Sequence, residues 1–221
     1  MTVRVKICGL MHAEDVSAAV AAGADAVGFV CVPGTPRYVP PERIVDLARL
    51  VPPFVTPVVV VDMTDPLDQG RAEALRFVCS RGVRAVQFHG HEPPWEIGRM
   101  RGQFGFSAIK AFKLHAERDL GLLAPYLGAV DAVLLDGGAG EGKRCDWDLA
   151  ARAVAAAGGL PAILAGGLDP ENVAGAIRTV NPWAVDVSSG VERAVGVKDP
   201  GRMAAFIEAS RRARESSPAK P

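Results

Sequence analysis

Short apolar runs rich in valine and isoleucine alternate along the chain with longer segments of helical periodicity. The apolar runs cover residues 3–8, 25–30, 57–61, 83–88, 107–112, 130–136, 161–165 and 184–188. The helical segments follow them at 14–22, 41–50, 66–80, 92–101, 116–126, 147–157, 170–179 and 199–214. Strands that are apolar throughout are typical of a parallel sheet covered by helices on its outer side. Eight such repeats predict a single α/β domain, a closed (β/α)8 barrel over residues 1–215, because open doubly wound sheets usually have about five or six strands.

Composition narrows the class of function. The chain has 221 residues, within the roughly 200–250 typical of one α/β barrel. No apolar run approaches the ~20 residues of a membrane span, and the N-terminus lacks a signal-peptide pattern. Its 25 basic and 25 acidic side chains balance, so no overall field favours nucleic acid or an anionic membrane. We therefore expect a cytoplasmic protein that acts on a small molecule, with residues 216–221 as a disordered tail.

The cysteines and histidines argue against metal or disulfide chemistry. Cys8, Cys31, Cys79 and Cys145 are far apart in the chain, and the four histidines have no spacing suited to zinc. A chain of this size buries a core without disulfides. We expect neither a metal nor a cofactor, and Cys8 is the thiol whose position calls for an explanation.

In a (β/α)8 barrel the active site lies at the C-terminal ends of the strands. The polar side chains predicted there are Cys8 (strand one), Arg37 (the loop after strand two), Gln87 and His89 (strand four), Lys110 (strand five), Asp136 (strand six, before a glycine-rich loop at 137–142) and Asp186 (strand eight). Lys6 points to the same face as Cys8, because side chains alternate along a strand, and its charge would favour the thiolate. A strand-end thiol can be a packing residue, but a thiol and a carboxyl at one mouth suggest an acid–base pair.

The last two strand ends predict a phosphate site. Gly166 and Gly167 follow strand seven, and Ser188, Ser189 and Gly190 follow strand eight. Glycines let backbone N–H groups approach an anion closely, and the serines add hydroxyl donors. Many barrels bind phosphate with the loops after strands seven and eight. Either loop alone would be compatible with a tight turn; the pair indicates phosphate.

Blocks along nearly the whole chain resemble the phosphoribosylanthranilate isomerase family of tryptophan biosynthesis. They are residues 5–9 (VKICG), 23–29 (GADAVGF), 37–38 (RY), 86–90 (VQFHG), 134–136 (LLD), 146–147 (DW), 166–173 (GGLDPENV), 185–192 (VDVSSGVE) and 196–199 (GVKD). The resemblance implies an Amadori rearrangement of N-(5′-phosphoribosyl)anthranilate to 1-(2-carboxyphenylamino)-1-deoxyribulose 5-phosphate. It also implies a phosphosugar as the small-molecule partner, and a monomer or a homodimer.

The resemblance also implies roles for single residues. Asp136 matches the family's general acid, which protonates the ribose ring oxygen, and Cys8 matches the base that removes the C2′ proton. Arg37 is similar to the residue that binds the anthranilate carboxylate. Asp186 matches an aspartate facing the amine nitrogen, although it is equally a candidate structural acid at a strand end. His89 is expected to support the substrate-binding mouth through hydrogen bonds.

Three other interpretations stay open at this stage. A sister histidine-pathway isomerase, or a dual-substrate phosphosugar isomerase, would share the barrel, but that chemistry typically pairs two aspartates where this chain has Cys8. A catalytically silent binding barrel is disfavoured by the intact pair of Cys8 and Asp136. A thiol redox protein would require a second cysteine near Cys8, for which Cys31 is the candidate.

Overall fold

A computed structural model describes residues 2–65, 69–137 and 146–215 of the chain, and in these residues eight parallel strands close into a barrel. The strands are β1 (Arg4–Ile7), β2 (Ala26–Val30), β3 (Thr56–Val61), β4 (Ala85–Phe88), β5 (Ser107–Lys113), β6 (Ala132–Asp136), β7 (Ala162–Ala165) and β8 (Ala184–Val187). Each strand pairs with the next, and β1 pairs with β8 from Arg4 opposite Ala184 to Ile7 opposite Val187. The predicted (β/α)8 barrel is confirmed.

Helices follow the strands along the chain. They are α1 (Ala13–Ala22), α2 (Pro41–Ala48), α3 (Gln69–Cys79), α4 (Pro94–Phe104), α5 (Trp147–Ala156), α6 (Val173–Val180) and α7 (Pro200–Glu215). In α6 the buried residues Val173, Ala176, Ile177 and Val180 follow the spacing that places side chains on one face. No helix in the described part of the chain is both long and apolar enough to cross a membrane.

The strands bury side chains on both faces. Outward-facing residues such as Val5, Ile7, Phe29 and Phe88 belong to the large core cluster that also contains the helices' apolar side chains. A smaller cluster inside the barrel contains Ala132, Leu134, Ile163, Ala165 and Ala184. The inward positions near the C-terminal ends of several strands carry polar side chains instead, among them Lys6, Gln87 and Asp186. The polar chemistry of the barrel is therefore concentrated at one end.

Two predicted helices differ from the structure. Residues 116–126, expected as one α-helix, form two short 3-10 helices, Glu117–Leu122 and Ala124–Tyr126. Pro125 explains the break, because proline has no N–H and its ring clashes with the preceding turn. The helix expected over 170–179 begins only at Val173, since the Asp169 carboxylate accepts hydrogen bonds from the N–H groups of Glu171 and Asn172 in a turn before it.

Some predictions concern residues outside the described part. These are the start of the helix predicted over 66–80, the loop from residue 138 to Cys145, and the tail at 216–221. The structure adds one element that the sequence pattern did not predict. A small antiparallel hairpin, β9 (Glu192–Ala194) and β10 (Val197–Lys198), follows β8.

Candidate active site

A cavity of about 1160 Å³ opens at the C-terminal ends of the barrel strands. Its walls include Cys8, His89, Asp136, Asp186, Gly166, Gly167, Ser188, Ser189 and Gly190, which are nine of the predicted site residues. The structure thus brings together the candidate thiol, the candidate acid and both glycine and serine loops. Lys6 and Arg37 are not among the described residues that line this cavity, and their contacts are given below.

Cys8 lies directly after β1, buried at the cavity floor. Its N–H donates to the carbonyl of Val187, 2.8 Å away, which fixes the backbone at the junction of β1 and β8. Gly28 on β2 provides the space for the thiol: a Cβ there would lie 2.7 Å from Cys8 Sγ and 3.2 Å from Lys6 Cε. In the sequence Gly28 stands out only as part of the block at 23–29, which gives no sign of this role.

The electrostatics of Cys8 differ from the expectation. Burial raises the pKa of the Cys8 thiol above its ordinary value, and the opposing positive charge of Lys6 does not overcome this effect. Asp186 adds to the increase, whereas Lys198 works against it. Lys6 therefore favours the thiolate, as expected, but desolvation is the larger effect and the net pKa is raised.

Lys6 forms a buried ion pair with Asp186. Its Nζ donates to Asp186 Oδ1 at 2.9 Å, and the two side chains are 4% and 10% exposed. Burial alone would lower the pKa of Lys6, but the charges of Asp186 and Cys8 raise it above its ordinary value. Lys6 is thus a permanent cation inside the barrel, and it holds Asp186 at the cavity wall.

Asp136 ends β6 at the cavity and is half-buried. Gly166 contacts its carboxylate closely, since a Cβ at Gly166 would lie 2.5 Å from Asp136 Oδ1. Lys113, which the sequence did not single out, is opposite Asp136 in the register of β5 and β6 and also lines the cavity. The candidate acid therefore sits between a glycine loop and a lysine.

His89 and Gln87 continue β4 into the mouth. Gln87 is 2% exposed, and its Nε2 lies 3.4 Å from His89 Nδ1. Desolvation lowers the pKa of His89 below its ordinary value; Asp136 opposes this effect, while Lys113 and Lys110 add to it. At neutral pH the imidazole is therefore uncharged and serves as a hydrogen-bonding group.

The two loops after β7 and β8 pack against each other. Gly166 and Gly167 have φ angles of 92° and 63°, in the left-handed region that favours glycine. A Cβ at Gly190 would lie 1.9 Å from the carbonyl oxygen of Leu168, so the loops approach more closely than any side chain would permit. This packing places Gly166, Gly167, Ser188 and Ser189 along one wall of the cavity.

Arg37 is held beside this wall by a residue that sequence reasoning did not identify. Its Nε and Nη2 donate to the two carboxylate oxygens of Glu192 at 2.7 Å and 2.6 Å. The Nη1 group of Arg37 takes no part in these two hydrogen bonds. The only signal for Glu192 in the sequence was its place at the end of the block 185–192.

Cys31 and Cys79, the other cysteines in the described ranges, form no disulfide with Cys8. Cys31 borders a separate cavity of about 290 Å³ between β2, β3 and α3, where burial and the charge of Glu42 raise its thiol pKa to about 11. Cys8, Cys31 and Cys79 are all free thiols. In the described ranges, no cluster of three or more His, Cys, Asp or Glu side chains is arranged to hold a metal ion.

Comparison with known proteins finds similarity to one family over nearly the whole chain. The model of the N-(5′-phosphoribosyl)anthranilate (PRA) isomerase family matches residues 5–209. A protein from Dechloromonas aromatica (strain RCB) named N-(5′-phosphoribosyl)anthranilate isomerase is 40% identical over 98% of this chain and 100% of its own length.

Solved structures give the same result. The phosphoribosyl anthranilate isomerase of Thermotoga maritima superposes with a TM-score of 0.84 and 38% identity over 95% of this chain and 98% of its own. A further structure of that protein describes it as dimeric. A phosphoribosyl anthranilate isomerase in complex with reduced 1-(o-carboxyphenylamino)-1-deoxyribulose 5-phosphate has a TM-score of 0.81 and 37% identity, over 95% and 98% of the two chains.

Proposed function

This chain belongs to the N-(5′-phosphoribosyl)anthranilate isomerase family, and from that premise we propose that it converts N-(5′-phosphoribosyl)anthranilate to 1-(2-carboxyphenylamino)-1-deoxyribulose 5-phosphate in tryptophan biosynthesis. The observation that carries the proposal is the shared cavity. Four groups from four different strands line this cavity: the buried thiol of Cys8, the carboxyl group of Asp136, the glycine loop after β7 and the serine loop after β8. Its volume of about 1160 Å³ accommodates an aromatic amine joined to a sugar phosphate.

The first step is ring opening. Protonated Asp136 delivers its proton to the ribose ring oxygen, the bond between C1′ and that oxygen breaks, and the amine lone pair forms a C1′–N iminium. General acid catalysis of this kind contributes about 10²–10⁴-fold. Asp136 lines the same cavity as Cys8 from the end of a different strand, and this placement supports the assignment.

The second step is removal of the C2′ proton by the Cys8 thiolate. The electron pair of the C2′–H bond forms the C1′–C2′ double bond, the iminium nitrogen receives a pair, and the enolamine that results tautomerises to the ketone. Burial disfavours the thiolate, whereas the iminium introduces a positive charge beside it. The iminium therefore favours the charged thiolate at the step that requires it.

Binding uses the groups around this pair. The loops containing Gly166, Gly167, Ser188, Ser189 and Gly190 hold the phosphate through N–H and hydroxyl donors. Arg37 binds the anthranilate carboxylate through the guanidinium edge not used by Glu192.

The amine nitrogen of the substrate is bound at the end of β8. Asp186, oriented by Lys6 through Oδ1, accepts the amine N–H with its other oxygen. His89 supports the mouth as a neutral donor and acceptor.

The assembly and location follow as part of the same proposal. A monomer and a homodimer are both compatible with a site built within one chain, and sedimentation velocity distinguishes them. Free Cys8, Cys31 and Cys79 support a reducing compartment such as the cytoplasm, which cell fractionation tests.

The experiment that tests the activity compares two substrates. Purified protein is mixed with freshly prepared N-(5′-phosphoribosyl)anthranilate, whose fluorescence decays as it is consumed, and separately with the histidine-pathway phosphosugar. Turnover of the first substrate alone is expected. Turnover of the second alone would replace this proposal with the sister isomerase, turnover of both would make the enzyme a dual-substrate isomerase, and turnover of neither would indicate a silent barrel.

A further inference from the structure

The hairpin after β8 carries two buried charges that the mechanism above does not use. Glu192 on β9 and Lys198 on β10 have side chains that are 5% and 0% exposed, and Lys198 Nζ lies 2.9 Å from Glu192 Oε1. Removing two charges from water costs more than a typical ion pair returns. Such a pair therefore calls for an explanation in terms of what else each partner holds.

Glu192 holds Arg37. Both of its carboxylate oxygens accept hydrogen bonds from the guanidinium, in the two-pronged geometry that fixes an arginine in direction as well as distance. Burial acts to raise the pKa of Glu192, but the hydrogen bonds from Arg37 and Lys198 keep it below its ordinary value. Glu192 is thus a stable anion that aims Arg37.

Lys198 holds the loop after β8. Its Nζ donates to the carbonyl oxygen of Ser188 at 3.0 Å and lies 3.4 Å from the Ser188 hydroxyl. Its backbone N–H is anchored by Asp15 Oδ2 on α1, 3.1 Å away. Through these contacts Lys198 determines where the backbone of the serine loop lies.

Arg37 and Ser188, which Glu192 and Lys198 hold in place, both contact the turn that carries the Cys8 thiol. A Cβ at Gly9, the residue after Cys8, would lie 2.6 Å from Arg37 Cδ and 2.8 Å from Ser188 Oγ. Gly9 has a φ of 73°. Arg37 and Ser188 therefore both lie against Gly9 in the Cys8 turn, and Glu192 and Lys198 of the hairpin hold them there.

We propose that Glu192 and Lys198 are positioning residues that set the distance between Arg37 and the Ser188 loop, and hence between the sites for the two anionic ends of one substrate. This inference rests on the proposed function, in which Arg37 binds the carboxylate and the Ser188 loop binds the phosphate. It adds that the β9–β10 hairpin makes the site selective for a ligand with two anions at one separation. Ligands that carry a single anionic group should gain much less binding affinity from the positions that Glu192 and Lys198 set.

The test uses Glu192→Gln, Lys198→Met and the double variant. Anthranilate and inorganic phosphate serve as competitive inhibitors that each occupy one end of the site. Glu192→Gln is expected to weaken inhibition by anthranilate, and Lys198→Met is expected to weaken inhibition by phosphate. In each variant the loss of inhibition should be smaller, as a fold-change, than the rise in KM for the full substrate. That rise should be about 10- to 100-fold, since a displacement on the order of 1 Å costs up to about 100-fold.

The double variant guards against misfolding, because it leaves neither Glu192 nor Lys198 as an unpaired buried charge. Arg101→Met is the matched control: it breaks an ion pair with Asp131 at the opposite end of the barrel, and should lower the melting temperature without changing KM. Restoration of KM by Lys198→Arg would support the proposal further.

A purely structural role would give a different result. If the variants that fold have wild-type KM and wild-type inhibition by both probes, with only a lower melting temperature, the proposal is overturned. A fall in kcat at unchanged KM would also overturn it. In both outcomes the wild-type enzyme still converts the substrate, so the proposed isomerase activity would stand.

Discussion

Replacing Gly28 with alanine should displace the Cys8 thiol without altering any group that carries charge. Gly28 lies on β2 with its Cα facing the barrel interior, and the added methyl would lie 2.7 Å from Cys8 Sγ. It would also lie 3.2 Å from both Cys8 Cα and Lys6 Cε. The perturbation is therefore a single methyl group aimed at the candidate base.

The size of the effect follows from these distances. Ordinary van der Waals contact begins at 3.4 Å, so Sγ must move by about 0.7 Å, and the Cys8 backbone must also give way slightly. Overpacking of this kind costs about 1–3 kcal/mol of stability. Because a misplacement on the order of 1 Å costs up to about 100-fold in rate, we expect kcat to fall by about 10- to 100-fold.

The assay follows the loss of N-(5′-phosphoribosyl)anthranilate fluorescence, together with urea unfolding to measure stability. Gly98→Ala is the control: Gly98 lies on the exposed face of helix α4, where an added Cβ meets nothing within 4 Å. It should keep wild-type kcat and gain about 0.5–1 kcal/mol, as glycine is a poor helix former. A Gly28→Ala enzyme with wild-type kcat would refute the claim that the thiol position is tightly set.

Three further outcomes are expected. Gly166→Ala should reduce kcat by more than Gly28→Ala in the same assay. A φ of 92° strains any side chain at this position, and the new Cβ would lie 2.5 Å from Asp136 Oδ1. Equal kcat values for the two variants would contradict this expectation. Asp186→Asn leaves Lys6 buried without its counter-ion and should lower the free energy of unfolding by about 3–5 kcal/mol in urea, whereas a loss within error would mean that Lys6 finds another partner. The pKa of Glu192 is lowered in the folded state from its ordinary value of 4.5, so the stability that the Glu192 carboxylate contributes is present above that pH and is lost as the pH falls below it. The difference in free energy of unfolding between wild type and Glu192→Gln should therefore shrink from pH 6 to about pH 3. A difference that stays constant over this range would be inconsistent with this linkage.

The sequence pattern predicted the barrel because its strands are short, apolar and separated by helical segments of regular length. Its errors arose where a local hydrogen bond or a proline competes with helical periodicity. The turn closed by Asp169 delays α6, and Pro125 divides the segment at 116–126. The β9–β10 hairpin was missed because strands of three and two residues have no measurable alternation.

The site was predictable only in part, and for a physical reason. Strand ends are visible in a sequence, so Cys8, Asp136 and Asp186 could be placed at one mouth in advance. Contacts between elements distant in the chain are not visible in that way. The pairing of Arg37 with Glu192, and the space that Gly28 leaves for Cys8, depend on how the closed barrel sets neighbouring strands and loops against one another.

The net effect of burial and nearby charge on the pKa of Cys8 could not be predicted from the sequence either. Lys6 was expected to favour the thiolate of Cys8 because it lies two residues away on the same face. Only the structure shows that the opposing effect of burial is larger, and that Lys6 is shared with Asp186. A charge next to a thiol therefore does not by itself determine the protonation state of that thiol.

The central claim, that Asp136 and Cys8 act as acid and base on N-(5′-phosphoribosyl)anthranilate, is tested most directly by the fluorescence decay of that substrate with Asp136→Asn and Cys8→Ser. Cys31→Ser is the control, since Cys31 borders a different cavity. Wild type and Cys31→Ser should consume the substrate rapidly, and each site variant should lose about 10²–10⁴-fold in kcat. A Cys8→Ser or Asp136→Asn enzyme that is folded and turns over at close to the wild-type rate would contradict the assignment.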